Sequence, residues 1–101
     1  MSKNRNRGKA AERSVAKTFG GKRVGTMGGE DVTTRDWSIE VKSRKACVVC
    51  DWVDQAVENC PEGKTPMVVL HIHGKRHNKD LVVIRMKDYI DWYGNVIDEV
   101  E

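Results

Sequence analysis

Asp31-Val32-Thr33-Thr34-Arg35-Asp36-Trp37-Ser38-Ile39-Glu40-Val41-Lys42 is the stretch on which the fold turns. Thr34-Arg35-Asp36 has the composition of a turn, so the stretch predicts a short strand at 31–33, a reversal, and a second strand at 37–42. Alternation along that second strand sends Trp37, Ile39 and Val41 to one face and Ser38, Glu40 and Lys42 to the other. If Thr33 lies opposite Ser38, the antiparallel register also sets Asp31 opposite Glu40, with Cβ atoms about 4.5–5.5 Å apart, where like charges are unfavourable. A divalent cation would compensate, and carboxylate oxygens suit Mg²⁺, which binds one or two of them plus water and phosphate oxygens. Lys42 lies roughly 6.5–7 Å further along the same face, close enough to orient or deprotonate a water or to neutralise charge on a phosphate. Glu-x-Lys on a strand is usually a solvated ion pair. This one gains weight from the acid upstream, the Gly28-Gly29 approach and an inward Glu on the preceding helix.

That Glu is Glu12. Glu12, Val15, Ala16 and Phe19 recur at i, i+3, i+4 and i+7, predicting a first helix over Gly8 to Phe19 that is closed by Gly20 and Gly21. Lys22 to Thr26 reads as a strand. Beyond the hairpin, Val53, Ala56, Val57 and Cys60 predict a second helix over Trp52 to Asn59, stopped by Pro61 and Gly63. The apolar run Pro66 to Ile72 predicts a central strand buried on both sides. A polar turn at Gly74 to Lys79 leads to a neighbouring strand at Asp80 to Arg85, and a last helix spans Lys87 to Tyr93. The expected fold class is α/β: a central mixed β-sheet flanked by helices, in the order αβββαβ with an added strand and a C-terminal helix. Residues 1–7 are expected to be a disordered basic arm, and residues 8–101 a single domain.

The net charge of +3 over 101 residues conceals an asymmetry. Residues 1–45 hold twelve Lys or Arg against five acids, a net +7, whereas the remainder holds six against ten, a net −4. A basic half is the footprint of a phosphate-backbone binder, since each bound phosphate releases condensed counterions. A chain this short buries only about 60–65% of its unfolded surface, so a homodimer that shares an interface is expected. No apolar stretch approaches the ~18 residues of a membrane span, and MSKNRNRGK has no signal-peptide core. The expected location is cytoplasmic, with Cys47, Cys50 and Cys60 reduced.

Three segments together resemble a known family: Arg7-Gly8-Lys9-Ala10-Ala11-Glu12, Gly29-Glu30-Asp31-Val32 and Ile39-Glu40-Val41-Lys42-Ser43-Arg44. They are similar to the PD-(D/E)XK nuclease superfamily, specifically the archaeal-type Holliday junction resolvases and their phage-encoded relatives. Gln55-Ala56 and Pro66 to His71 add to a likeness that spans about Arg7 to Tyr89. It implies a restriction-endonuclease-like core and Mg²⁺-dependent hydrolysis of phosphodiester bonds in branched DNA, with Mn²⁺ able to substitute. It also implies a homodimer with two active sites. By position, Glu12, Asp31 and Glu40 correspond to the catalytic, metal-binding acids and Lys42 to the catalytic lysine. The backbone carbonyl of Val41 corresponds to a further metal ligand. The family's Pro-Asp is Glu30-Asp31 here, and the interval to Glu40 is short, so Asp36 competes with Asp31 for the role. Asp31 is preferred because Arg35-Asp36 suits a turn.

Arg5, Arg7, Lys9, Arg44 and Lys45 are the expected DNA contacts, with Gln55 approaching from the second helix. Cys47-Val-Val-Cys50 with Cys60, His71 and His73 invites a zinc reading, but tetrahedral zinc usually has two paired motifs. The cysteines are instead expected to pack as small hydrophobes before the second helix. His77, in a basic turn, is expected on solvent or DNA. Two alternatives stay open: a nicking or restriction-like endonuclease with the same centre, and a non-catalytic DNA-binding module of the same fold.

Overall fold

A computed structural model describes residues 2–25 and 29–94, with side chains from Asn6 onward. The chain mixes helix and strand. Its elements are α1 (Ser2–Phe19), β1 (Lys22–Arg23), β2 (Val32–Thr33), β3 (Ser38–Ile39), α2 (Val48–Glu58), β4 (Val68–Leu70), β5 (Leu81–Val83) and α3 (Met86–Tyr93). A 3₁₀ turn, His77–Lys79, precedes β5. They divide into two compact units, the first built on residues up to Lys45 and the second on Ala46–Tyr93. The expectation of one central mixed sheet is therefore corrected. Among the described residues there are two small antiparallel sheets, one in each unit.

In the first unit α1 packs on β1 and β2. Gly8, Ala11, Glu12, Val15, Ala16, Thr18 and Phe19 are its shielded positions, the predicted stripe extended one turn upstream. The helix itself starts at Ser2 rather than Gly8, so residues 2–7, expected as a disordered arm, continue it. Once the apolar stripe has nucleated the helix, each added residue gains a hydrogen bond, and Lys, Arg and Asn tolerate that conformation. At the other end Gly20 adopts φ 68°. The Gly21 amide donates to Ala16 O at 2.8 Å and the Gly20 amide to Lys17 O at 3.4 Å, a Schellman closure. Gly21 then passes so close to β2 that a Cβ there would sit 2.4 Å from Thr33 O.

The sheet order is β1-β2-β3, with Thr33 opposite Ser38 and Val32 opposite Ile39, the predicted hairpin register. Thr34 makes the turn: its Oγ1 accepts the amides of Asp36 (3.2 Å) and Trp37 (2.9 Å). The strands are shorter than expected, and β3 ends at Ile39 instead of Lys42. Val32 is fully buried and, with Ala16, forms the core of this unit. Burying such a valine stabilises by about 1.5–3 kcal/mol.

In the second unit β4 pairs with β5, Leu70 opposite Leu81, and α2 packs on β4. The run around β4 was expected to be buried on both sides. With β5 its one partner strand among the described residues, Val68 and Leu70 are half-buried while Met67, Val69 and Ile72 are exposed. Helix α2 begins at Val48, four residues before the expected start, so Cys50 lies within it and Cys47 at its N-cap. Both cysteines are exposed rather than packed in a loop. On α3, Asp88 is buried against Arg85, whose Nε donates to it at 2.8 Å. That guanidinium holds the Asp88 carboxyl below the ordinary carboxylate range. No helix among the described residues is long and apolar enough to cross a membrane.

Candidate active site

The hairpin end opposite its turn opens into a pocket of about 700 Å³ within the first unit. Three carboxylates reach it from three elements: Glu12 from α1, Asp31 from the start of β2 and Glu40 from just beyond β3. Four cations line it as well: Arg7 from α1, and Lys42, Arg44 and Lys45 from the segment after β3. Asp36, the competing acid, lies exposed in the hairpin turn, its Oδ2 3.2 Å from Arg35 Nη2, and is not among the lining residues.

Asp31 is the most firmly placed of the acids. Its carbonyl accepts the Val24 amide at 3.0 Å, in step with the β1–β2 ladder. Its amide donates to Ile39 O at 2.9 Å, one residue out of step with the Val32–Ile39 pair, so two successive residues address one on the partner strand. That is a β-bulge, a device that ends pairing and re-aims a side chain. The carboxylate then takes the next amide itself, with Val41 N–H donating to Asp31 Oδ2 at 2.7 Å. This bond explains why β3 stops early: the Val41 amide is satisfied by a side chain instead of a strand.

The other two acids have cationic partners. Glu12 Oε1 accepts from Arg23 Nε at 3.0 Å, a pair about a quarter exposed. Lys42 Nζ lies 3.0 Å from Glu40 Oε2, in a pair more than half exposed. The repulsion expected between Asp31 and Glu40 is thus compensated by a backbone amide and a lysine of the chain itself. Consequently the three carboxylates share a pocket without their oxygens gathering at one point.

The remaining DNA-contact candidates divide. Arg7, Arg44 and Lys45 line the pocket, whereas Lys9 is exposed on α1 outside its lining. Arg5 lies on α1, its side chain outside the described set. Gln55 is exposed on α2, in the second unit. Val41 lines the pocket, its amide held by Asp31.

Among the described residues one set of metal-binding side chains does gather its donor atoms within 4.8 Å of one another: His71, His77 and Asp80. The sequence pattern groups His71 with His73 and the cysteines and sends His77 to solvent or DNA, whereas the structure gathers His71 and His77 on Asp80. The legible signal was His77-x-x-Asp80, which a 3₁₀ turn stacks on one side.

Comparisons of the chain with protein-family models, with curated proteins and with solved structures found no match.

Proposed function

We propose that this chain is a Mg²⁺-dependent endonuclease that hydrolyses phosphodiester bonds in branched or structured DNA. In this reading it acts as a homodimer and builds its first unit on a restriction-endonuclease-like core. The observation that carries the reading is the pocket lining: Glu12, Asp31, Glu40 and Lys42 share one concavity with Arg7, Arg44 and Lys45. Carboxylates alone would repel a phosphate, and cations alone would merely bind it. A pocket that offers hard oxygen donors between cations is suited to a metal ion and a phosphodiester together.

The donor set fits Mg²⁺, since every ligating side chain in the lining is a carboxylate. Asp31, Glu40 and Glu12 would hold the ion. When bound it supplies Lewis-acid polarisation of a phosphoryl oxygen and lowers the pKa of an attacking water. The chain's own residues do the rest. Arg7, Arg44 and Lys45 hold the DNA backbone, and Lys42 neutralises charge that develops on the phosphate. The Glu40–Lys42 pair, exposed as it is, is worth only about 0–1 kcal/mol. Both side chains can therefore exchange partners at little cost, Lys42 for phosphate and Glu40 for the metal. Asp31, held by the Val41 amide, keeps its place throughout.

One observation favours a second reading, a DNA-binding module without catalysis: Glu12 and Glu40 are each already neutralised by a cation. The deciding experiment compares the chain with its Lys42→Ala variant on a labelled four-way junction and a matched linear duplex, with and without Mg²⁺. Metal-dependent cutting of the junction, slowed by at least about 100-fold in the variant, is expected. Binding with no metal-dependent cutting would leave the binding module, and equal cutting of the duplex would replace branched DNA by DNA in general.

A further inference from the structure

The second unit holds a cluster that the proposed nuclease chemistry does not use. Leu70 and Leu81 are the last ladder pair of β4 and β5, so the same register sets His71 directly across from Asp80. Between them the chain reverses: the Lys75 amide donates to Ile72 O at 3.0 Å, and the 3₁₀ turn closes with the Asp80 amide on His77 O at 3.0 Å. Residues three apart eclipse on such a turn, so His77 stands over Asp80. One of the three side chains is placed by the ladder, one by the turn, and Asp80 by both.

The side chains converge accordingly. His71 Nδ1 lies 2.6 Å from Asp80 Oδ1, and His77 Nδ1 lies 3.1 Å from Asp80 Oδ2. The two rings stack with centroids 4.1 Å apart and planes 24° from parallel. Both imidazoles thus turn the same nitrogen to opposite oxygens of one carboxylate. Hydrogen bonds from His71 first and His77 second hold that carboxyl below its ordinary range.

We propose that His71, His77 and Asp80 form a binding site for a divalent transition-metal ion of the zinc class, distinct from the carboxylate pocket of the first unit. Two imidazole nitrogens and one carboxylate oxygen are a three-ligand set that zinc accepts with its fourth position left to water. Imidazole donors suit zinc, copper and nickel, whereas Mg²⁺ prefers oxygen alone. Ligands around a tetrahedral zinc at ~2.0–2.1 Å stand about 3.3 Å apart. Admitting the ion therefore asks the 2.6 and 3.1 Å His71–Asp80 and His77–Asp80 contacts to open by less than about 1 Å, and the wider spacings of a donor set that lies within 4.8 Å to close toward the same value, with the metal replacing the protons now shared. Entry is unobstructed, since the His77 side chain is 82% exposed. The neighbouring Lys75, Arg76 and Lys79 repel a cation, which lowers the expected affinity.

The test uses the full chain carrying Cys47→Ser, Cys50→Ser and Cys60→Ser, which removes thiolate ligands, in a buffer with millimolar Mg²⁺ to saturate the carboxylate pocket. Zn²⁺ is titrated calorimetrically, and Co²⁺ is followed by its visible absorption. The expected result is one ion per chain, with affinity at least about 10-fold lower in His77→Ala, because losing a ligand costs no less than losing its supporting shell. His77 is too exposed for that variant to disturb the fold. Zn²⁺ should also shift the imidazole resonances of His71 and His77 while leaving those of His73 in place. The proposal is overturned if Zn²⁺ does not bind below millimolar concentration, if His77→Ala binds as tightly as the parent, or if His73 responds with the other two. Neither the site nor its test depends on DNA cleavage.

Discussion

The two units solve the problem of a half-shielded carboxylate in opposite ways. In the first, three acids enter one pocket and each finds a separate partner: Arg23 for Glu12, the Val41 amide for Asp31, Lys42 for Glu40. In the second, one acid, Asp80, serves two imidazoles at once. The first arrangement is dispersed, oxygen-rich and surrounded by cations, so its function under the proposal is to be reorganised by what arrives. The second is already gathered and nitrogen-rich. Proximity of donors in the free protein and suitability for a given ligand are therefore separate properties.

The largest expected effect separates the two clusters by activity. Lys42→Ala should slow single-turnover cleavage of a four-way junction by about 100- to 1000-fold, the range for losing one charge-stabilising group. Asp80→Ala should leave that rate unchanged. A comparable loss in both variants would mean that the clusters are not independent. Next in size is a packing effect confined to the first unit. Gly21→Ala places a methyl 2.4 Å from Thr33 O, so α1 or β2 must move, at about 1–3 kcal/mol read from urea unfolding.

A smaller effect belongs to the second unit and depends on pH. The Asp88 carboxyl is held below its unfolded value by Arg85, so its contribution is complete above about pH 4 and is lost as pH falls through the lower folded value. Urea midpoints of the parent and Asp88→Asn should differ at pH 6 and converge below pH 4. A constant difference would show that Asp88 acts through packing alone. Smallest of all, Glu40→Gln should change stability by under about 1 kcal/mol, since its pair with Lys42 is exposed. A larger loss would mean that Glu40 holds the fold as well as the pocket.

What was readable from the sequence follows from the range of the forces involved. The hairpin register, the stripe of α1 and the glycine closure rest on local periodicity and turn chemistry, and Asp31, Glu40 and Glu12 reach one pocket for that reason. The early end of β3 was not readable, because it depends on a side chain ten residues away taking a backbone amide. The two-sheet division was equally hidden. An apolar run such as Pro66 to Ile72 states that burial is wanted, not how many neighbouring strands will provide it. The His71–His77–Asp80 cluster fell between the two cases: its 3₁₀ half is local, and its cross-strand half needs the β4–β5 register.

The bond from the Val41 amide to Asp31 gives the pocket a built-in reporter. A charge-assisted bond of this kind contributes about 1.5–3 kcal/mol, and it tethers the segment that carries Lys42, Arg44 and Lys45 to the acid at the start of β2. Solvent exchange of that one amide proton is therefore a clock for the carboxylate's occupancy. Anything that draws Asp31 away releases the proton, and anything that locks the carboxylate in place protects it, so the state of the pocket can be followed without DNA, label or turnover.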